Sequence, residues 1–256
     1  MSDYDLVVTD IHTAHDDDFK RHEALGQMIL EEKPRSLIFV GDFASLDSCS
    51  SYDKVKRCSM AEDVEAIKHA YRLIFGPLLE WSSRQRSHRH RGHDMRTVWC
   101  EGNHEEREKR IRKEDPEGYA SLIDFQSIIC PPHYWDEWYD YGDVVNVNGI
   151  NYTHIPIGKT GRPMGYTTIA RQTNGHLIYG HTHEMRMSPV PQVDSVNSVR
   201  MILNAPAFLP QDQKEHYCER STTGWVYGLL RVRPQGPTRP FTFDFLSTEE
   251  VVNKYT

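Results

Sequence analysis

Apolar residues recur in short bursts that end on polar or acidic positions. Tyr4 to Asp10 (YDLVVTD), Ser36 to Asp42 (SLIFVGD) and Thr97 to Asn103 (TVWCEGN) share one pattern. Each holds a β-branched or aromatic run, as expected of strands buried on both faces. Between the first two, Leu25, Met28 and Ile29 repeat at helical spacing within Asp18 to Lys33, and Pro34 closes the segment. Between the second and third, Val64, Ile67, Ala70, Tyr71, Ile74 and Leu78 predict a helix over Ala61 to Trp81, interrupted near Gly76–Pro77. Strand and helix in alternation predict a parallel sheet covered by helices. The second half changes character. Val144–Val147, Ile150–His154, His176–Gly180, Met201–Asn204, Trp225–Val232 and Phe241–Phe245 are strand candidates, with a hairpin turn at Asn148–Gly149 and a short helix around Tyr166 to Gln172. The expectation is an α/β fold of two packed sheets with helices outside.

The chain has 256 residues with 30 Lys and Arg against 37 Asp and Glu, a net charge of −7. This length supports a core without staples and fits a single domain over 1–256, with a helical and basic insertion at 48–97. The longest bulky apolar run, Leu37 to Val40, is too short to span a membrane, and the acidic N-terminus is unlike a signal peptide. Five scattered cysteines without a C-x-x-C pair predict neither a disulfide framework nor a thiolate zinc site, and fit a reducing, cytoplasmic setting. The acidic balance argues against broad nucleic-acid affinity but leaves room for a local basic patch. Arg84 to Arg96 (RQRSHRHRGHDMR) is that patch: a solvated loop, or an anion-binding edge. His133 to Tyr141 (HYWDEWYDY) is aromatic and acidic: a satellite core, or a lid that stacks on substrate.

The chemistry gathers where the strands end. Asp10-Ile11-His12, Gly41-Asp42, Gly102-Asn103-His104-Glu105, His154 and Gly180-His181-Thr182-His183 each close a strand, where open α/β sheets collect ligands. Carboxylates, imidazoles and an amide oxygen suit manganese, iron, zinc or nickel. Seven such side chains, with one carboxylate bridging, would give each of two ions four protein ligands, and such a pair clamps an in-line displacement at phosphorus. Other motifs are weaker. Gly158-Lys159-Thr160 lacks the first glycine of a phosphate loop, so Lys159 and Arg162 are at most substrate contacts. Arg107 faces either a nearby acid or substrate. His15 and Asp16 to Asp18 are expected to cap a helix.

The ordered blocks D-x-H, G-D, G-N-H-E, H and G-H-x-H, spread over Tyr4 to Ala205, resemble the calcineurin-like metallophosphoesterase superfamily. The resemblance implies a four-layer α/β/β/α sandwich of two mixed sheets with flanking helices, and two divalent transition-metal ions, manganese foremost. It implies that Asp10, His12 and His183 hold one ion, that Asn103, His154 and His181 hold the other, and that Asp42 bridges. His104 would be the catalytic histidine beside the substrate, stabilising the phosphoryl group or protonating the leaving oxygen. The implied function is hydrolysis of a phosphate ester by a metal-bridging hydroxide; the basic loop Arg84 to Arg96 and the aromatics near Trp135 and Trp138, which would hold phosphate and base, point foremost to a nucleotide-type phosphodiester, with nucleotide or nucleic acid as partner and no membrane. The alternatives are a phosphomonoesterase acting on phosphoprotein, a non-catalytic scaffold of the same fold, and a nucleic-acid-binding protein. The chain departs from the family in its second block, where Ser45 stands in place of the second Asp of G-D-x-x-D. It also lacks the marks of the Ser/Thr protein phosphatases. The stretch from Gly41 to Lys54, with GNHEER and GHTH, is most similar to small metallophosphoesterases of bacteriophages, which would place the protein in a host cytoplasm. Oligomeric state is left open.

Overall fold

The computed structural model describes residues 2–50, 58–114, 125–191, 199–211, 213 and 223–256. In chain order its elements begin with β1 (Asp5–Val8), α1 (Lys20–Glu32), β2 (Ser36–Val40), α2 (Met60–Ser87), β3 (Arg96–Cys100), α3 (Glu106–Glu114), α4 (Phe125–Ile129) and β4 (Glu137–Tyr139). They continue with β5 (Val145–Val147), β6 (Ile150–Thr153), α5 (Tyr166–Gln172), β7 (His176–Tyr179), β8 (Arg186–Pro191), β9 (Val199–Asn204), β10 (Gly228–Arg233), β11 (Thr242–Ser247) and α6 (Thr248–Tyr255). One sheet has the order β11-β10-β1-β2-β3-β4 and the other β5-β6-β7-β9-β8. Strands β1 to β4 run parallel, as do β6, β7 and β9, while β5, β8, β10 and β11 are antiparallel to their neighbours.

The apolar runs alternate between two cores because successive side chains of a strand point to opposite faces. Leu6, Val8, Leu37, Phe39 and Trp99 meet the inner faces of α1 and α2, together with Val251 and Tyr255 of α6. Val7, Ile38, Val40, Val98 and Cys100 face the second sheet, against Val145, Ile150, Tyr152, Ile178 and Leu203. The outer face of the second sheet is covered by Ile169 of α5. Helices, sheet, sheet and helix make the four-layer mixed α/β architecture anticipated from the chain.

Five elements escape the periodicity, the short helix α4 among them. Strand β8 carries Pro189 and Pro191, which confine it to a sheet edge. Strand β4 lies inside the acidic and aromatic stretch, also at an edge. Helix α3 is nearly all charged, and α6 is announced by a capping box, Ser247 with Glu250, rather than by a long apolar stripe. The interruption expected at Gly76–Pro77 does not occur: α2 runs through to Ser87. Gly76 lacks the Cβ that would clash with the proline ring, and Pro77 removes only the donor to Leu73 O. That carbonyl is where α1 crosses: a Cβ at Gly26 would lie 2.1 Å from Leu73 O, so only glycine allows the approach.

Candidate metal centre

Parallel strands end on the same edge of their sheets, so β1, β2, β3, β6 and β7 deliver their C-terminal residues to one place. The chain stays paired beyond the strands. Asp10 N–H donates to Gly41 O (2.9 Å), His12 N–H to Asp42 O (2.9 Å), and Gly180 N–H to His154 O (2.9 Å). The turns are sharp, and five candidate ligands stand in the left-handed region: Asp10 (φ 49°), His12 (45°), Asp42 (54°), His181 (75°) and His183 (57°). Such backbone is held only where the surroundings over-determine it, and it clusters at functional sites.

Two groups of donors result, and a third set, His12, Asp42 and His104, overlaps both. In the first, His12 Nε2 lies 3.1 Å from His183 Nε2, which lies 3.3 Å from Asp10 Oδ1. In the second, His154 Nε2 lies 3.0 Å from Asn103 Oδ1, 3.2 Å from His181 Nδ1 and 3.3 Å from Asp42 Oδ2. Asp42 Oδ2 is also 3.9 Å from His12 Nε2, so it stands between the groups. All seven side chains named from the sequence therefore converge. Asp10, His12, Asp42, His154 and His183 are buried, while Asn103 and His181 are partly open.

The supporting bonds fix how these groups point. His154 Nδ1–H donates to Val40 O (2.9 Å), leaving Nε2 turned towards the other donors. The backbone N–H of His181 donates to both Asp10 oxygens (3.1 and 3.0 Å), and that of His104 to Asp42 Oδ1 (2.9 Å). Outer contacts of this kind orient metal ligands.

The electrostatics call for positive charge. Burial pushes both carboxyls up, but His183 and His154 beside Asp10, and His154 and His104 beside Asp42, hold them below the usual range. Burial lowers the imidazoles: His12 stands well below its ordinary value and His181 near 4. His154 is the exception, since Asp42 and Asp10 outweigh its burial and raise it to about 10. Carboxylate, amide and imidazole acceptors pointed at one focus are reconciled by a cation there, either a proton on His154 or a divalent ion that displaces it. The donor set fits two transition-metal ions.

A family model described as calcineurin-like phosphoesterase matches residues 6–185. The chain belongs to this family. Membership makes the protein a metal-dependent phosphoesterase, a hydrolase of phosphate esters. A comparison with curated protein sequences returns no match. Among solved structures it is similar to a predicted phosphoesterase from Streptococcus pneumoniae, at 13% identity and TM-score 0.38 over 97% of this chain and 92% of that one. It is also similar to YfcE, a phosphoesterase from E. coli, at 12% identity and TM-score 0.38 over 90% and 91%. A third likeness is the nuclease MPE of Pseudomonas putida, at 16% identity and TM-score 0.34 over 89% and 84%.

Several features around the phosphoesterase site were not legible in the motifs. Glu105 is fully buried, with Oε2 accepting from Asp42 N–H (3.1 Å) and Gly102 N–H (2.9 Å), and Oε1 from Ala44 N–H (2.9 Å). It clamps the second block to the third, and burial with Asp42 nearby pushes it up to about 8. Ser45, at the family's missing Asp, makes the tie instead: its hydroxyl donates to His12 O (3.0 Å) and its carbonyl accepts from His104 Nδ1 and Arg107 Nη1 (2.9 Å each). Arg107 Nη2 donates to His104 Nε2 (2.9 Å). Burial, Arg107 adding to it against the pull of Asp42, holds His104 near 4.

Two expectations are corrected. Trp135 is buried in the helix-side core and Trp138 stacks on Trp99, so neither can hold a base. From this stretch, the aromatic that reaches the site is Tyr141, 6.2 Å from the His154 ring. The basic stretch is the end of α2, an exposed turn and the first residue of β3, which pairs with Ser36 at the start of β2. It lies at the N-terminal end of the strands, about 13 Å of β3 away from the edge that carries the site. Among the described residues, no helix is long and apolar enough to cross a membrane.

Proposed function

We propose that the protein is a dinuclear phosphoesterase whose substrate is a nucleotide-type phosphodiester. Asp10, His12 and His183 hold one ion, Asn103, His154 and His181 the other, and Asp42 bridges. The observation that carries this reading is the position of Asp42 Oδ2, 3.3 Å from His154 Nε2 and 3.9 Å from His12 Nε2, common to both groups. Imidazoles and carboxylates with one amide and no thiolate suit manganese, and iron, zinc and nickel share that chemistry. When bound, such a pair supplies Lewis-acid polarisation of the phosphoryl group and a water acidic enough to attack at neutral pH.

The chain's own residues do the rest. Arg107, a permanent cation on the first turn of α3, is placed to receive a phosphoryl oxygen. His104 Nδ1 is tied to Ser45 O, so Nε2 is the atom that faces the site; it accepts from Arg107 and carries no proton of its own, so once Arg107 has moved to the phosphate it takes a proton from water and passes that proton to the leaving oxygen. Tyr141 beside His154 and Trp225, whose ring centroid is 4.3 Å from that of His183, flank the two groups and offer faces to a base. The test is a panel with Mn²⁺: an aryl phosphate, an aryl diester, cyclic nucleotides, and single- and double-stranded DNA. The reading expects diesters to lead. Preference for the monoester would overturn the substrate class, and no turnover on any arm would favour a non-catalytic scaffold.

A further inference from the structure

Away from the seven proposed ligands, a second kind of donor set forms at the start of α2. His15, three residues past His12, meets Cys58 and Asp63, with one ligand atom from each lying within 4.8 Å of the others. The chemistry is mixed: an imidazole, a thiol and a carboxylate.

Each donor is already oriented. Asp63 is buried in the first turns of α2, and its Oδ2 accepts from Ser48 N–H (3.0 Å) and Ser48 Oγ–H (2.5 Å). Its Oδ1 is turned to Cys58 Sγ at 3.5 Å. Nδ1 of His15 is shielded from solvent and has no hydrogen-bond partner among the described residues. A further carboxylate, Asp47, lies in the same field, pushed up by burial and by Asp63 while Arg107 and His15 pull it down. A thiol–carboxylate hydrogen bond alone would account for Cys58 and Asp63. It leaves His15 Nδ1 without a purpose.

We infer that His15, Cys58 and Asp63 form a third metal site, separate from the proposed dinuclear centre, that takes a zinc-class divalent ion. One thiolate, one imidazole and one carboxylate are zinc ligands, and water completes a tetrahedron. Binding forms the metal–sulfur bond as the thiol releases one proton to solvent. Ser48 keeps Asp63 Oδ2, so Oδ1 is the ligand and the serine its support. The ion would pin the loop that carries His12 to the start of α2. Cysteine spacing could not reveal this site, because it uses one thiolate and the fold supplies the other donors.

The test exploits sulfur, which the proposed dinuclear centre lacks. The full chain, stripped and loaded with Co²⁺ and then desalted, is expected to hold three equivalents and to show a near-ultraviolet thiolate-to-cobalt charge-transfer band. Cys58→Ser should lose that band and one equivalent, His15→Ala should do the same, and Cys49→Ser should lose neither. Asp42→Asn should keep the band while losing the other two ions, so failure of this site and failure of the dinuclear reading are told apart. A wild-type protein with no band overturns the inference without recourse to any variant. A band that survives Cys58→Ser, or that follows Cys49, also overturns it.

Discussion

Gly102→Ala tests the geometry of the centre through one methyl group. A Cβ at this position would lie 2.1 Å from Asp42 Oδ1 and 2.2 Å from Asp42 N, and the obstacle is ligand and backbone rather than a flexible side chain. Restoring ordinary contact requires Asp42 to retreat by about 1 Å, whereas ligand distances in a metal site tolerate about 0.2 Å. Asp42 cannot yield alone, because its backbone N–H is held by Glu105 and its Oδ1 by His104 N–H. The expected result is a folded protein, destabilised by about 1–3 kcal/mol through overpacking. Both ions should bind poorly, since Asp42 is the proposed bridge, and kcat/KM should fall about 10²-fold, the usual consequence of a 1 Å misplacement. Metal content after gel filtration, thermal melting and aryl-diester hydrolysis are the three readouts. A melting curve lowered as expected, with two ions retained and an unchanged rate, would refute the bridging role of Asp42.

Three further outcomes are expected. His104→Ala should leave metal content near wild type and lower the rate by about 10²–10⁴-fold, less on substrates whose leaving group needs no proton; loss of metal would make it a ligand. Arg84, Arg86, Arg89 and Arg91 replaced together by Glu should leave kcat/KM within about twofold on every substrate, because the patch lies more than a Debye length from the site; a selective loss on DNA would give the loop a binding role. Glu32 accepts from Arg231 Nε–H (2.9 Å), Tyr4 and Tyr255, and despite burial these partners hold its carboxyl below the ordinary 4.5. A depressed folded value means that its contribution is complete above pH 4.5 and is lost as pH falls towards the folded value. Glu32→Gln should therefore cost about 1 kcal/mol at neutral pH, the modest figure for a partly solvated site, and flatten the acid limb of a denaturation series; an unchanged limb would show that Glu32 is not its source.

The period of apolar residues reports which faces of an element are dry, and that is a local property. It marked β1, β2, β3, β6, β7 and α5, and with them the two-sheet arrangement. The proposed ligands were legible for a related reason: each follows a strand, and parallel strands must end together. Edge strands such as β8 and a charged helix such as α3 bury too little for a period to show. Where things meet across the sheets was beyond any pattern along the chain. Val98 to Cys100 could be read as a strand, but only its parallel register with β2 puts Arg96 beside Ser36 at one end and Asn103 beside the site at the other. The same register leaves the basic stretch far from the chemistry, buries Trp135 in the core and brings Tyr141 to His154. Glu105 looked like one letter of a motif until the turns folded back and gave it three backbone N–H groups to hold. His15, Cys58 and Asp63 are separated by 43 and 5 residues, and no spacing rule joins them. Their meeting is set by how α2 packs on the first sheet, which depends on contacts between elements rather than on order within them.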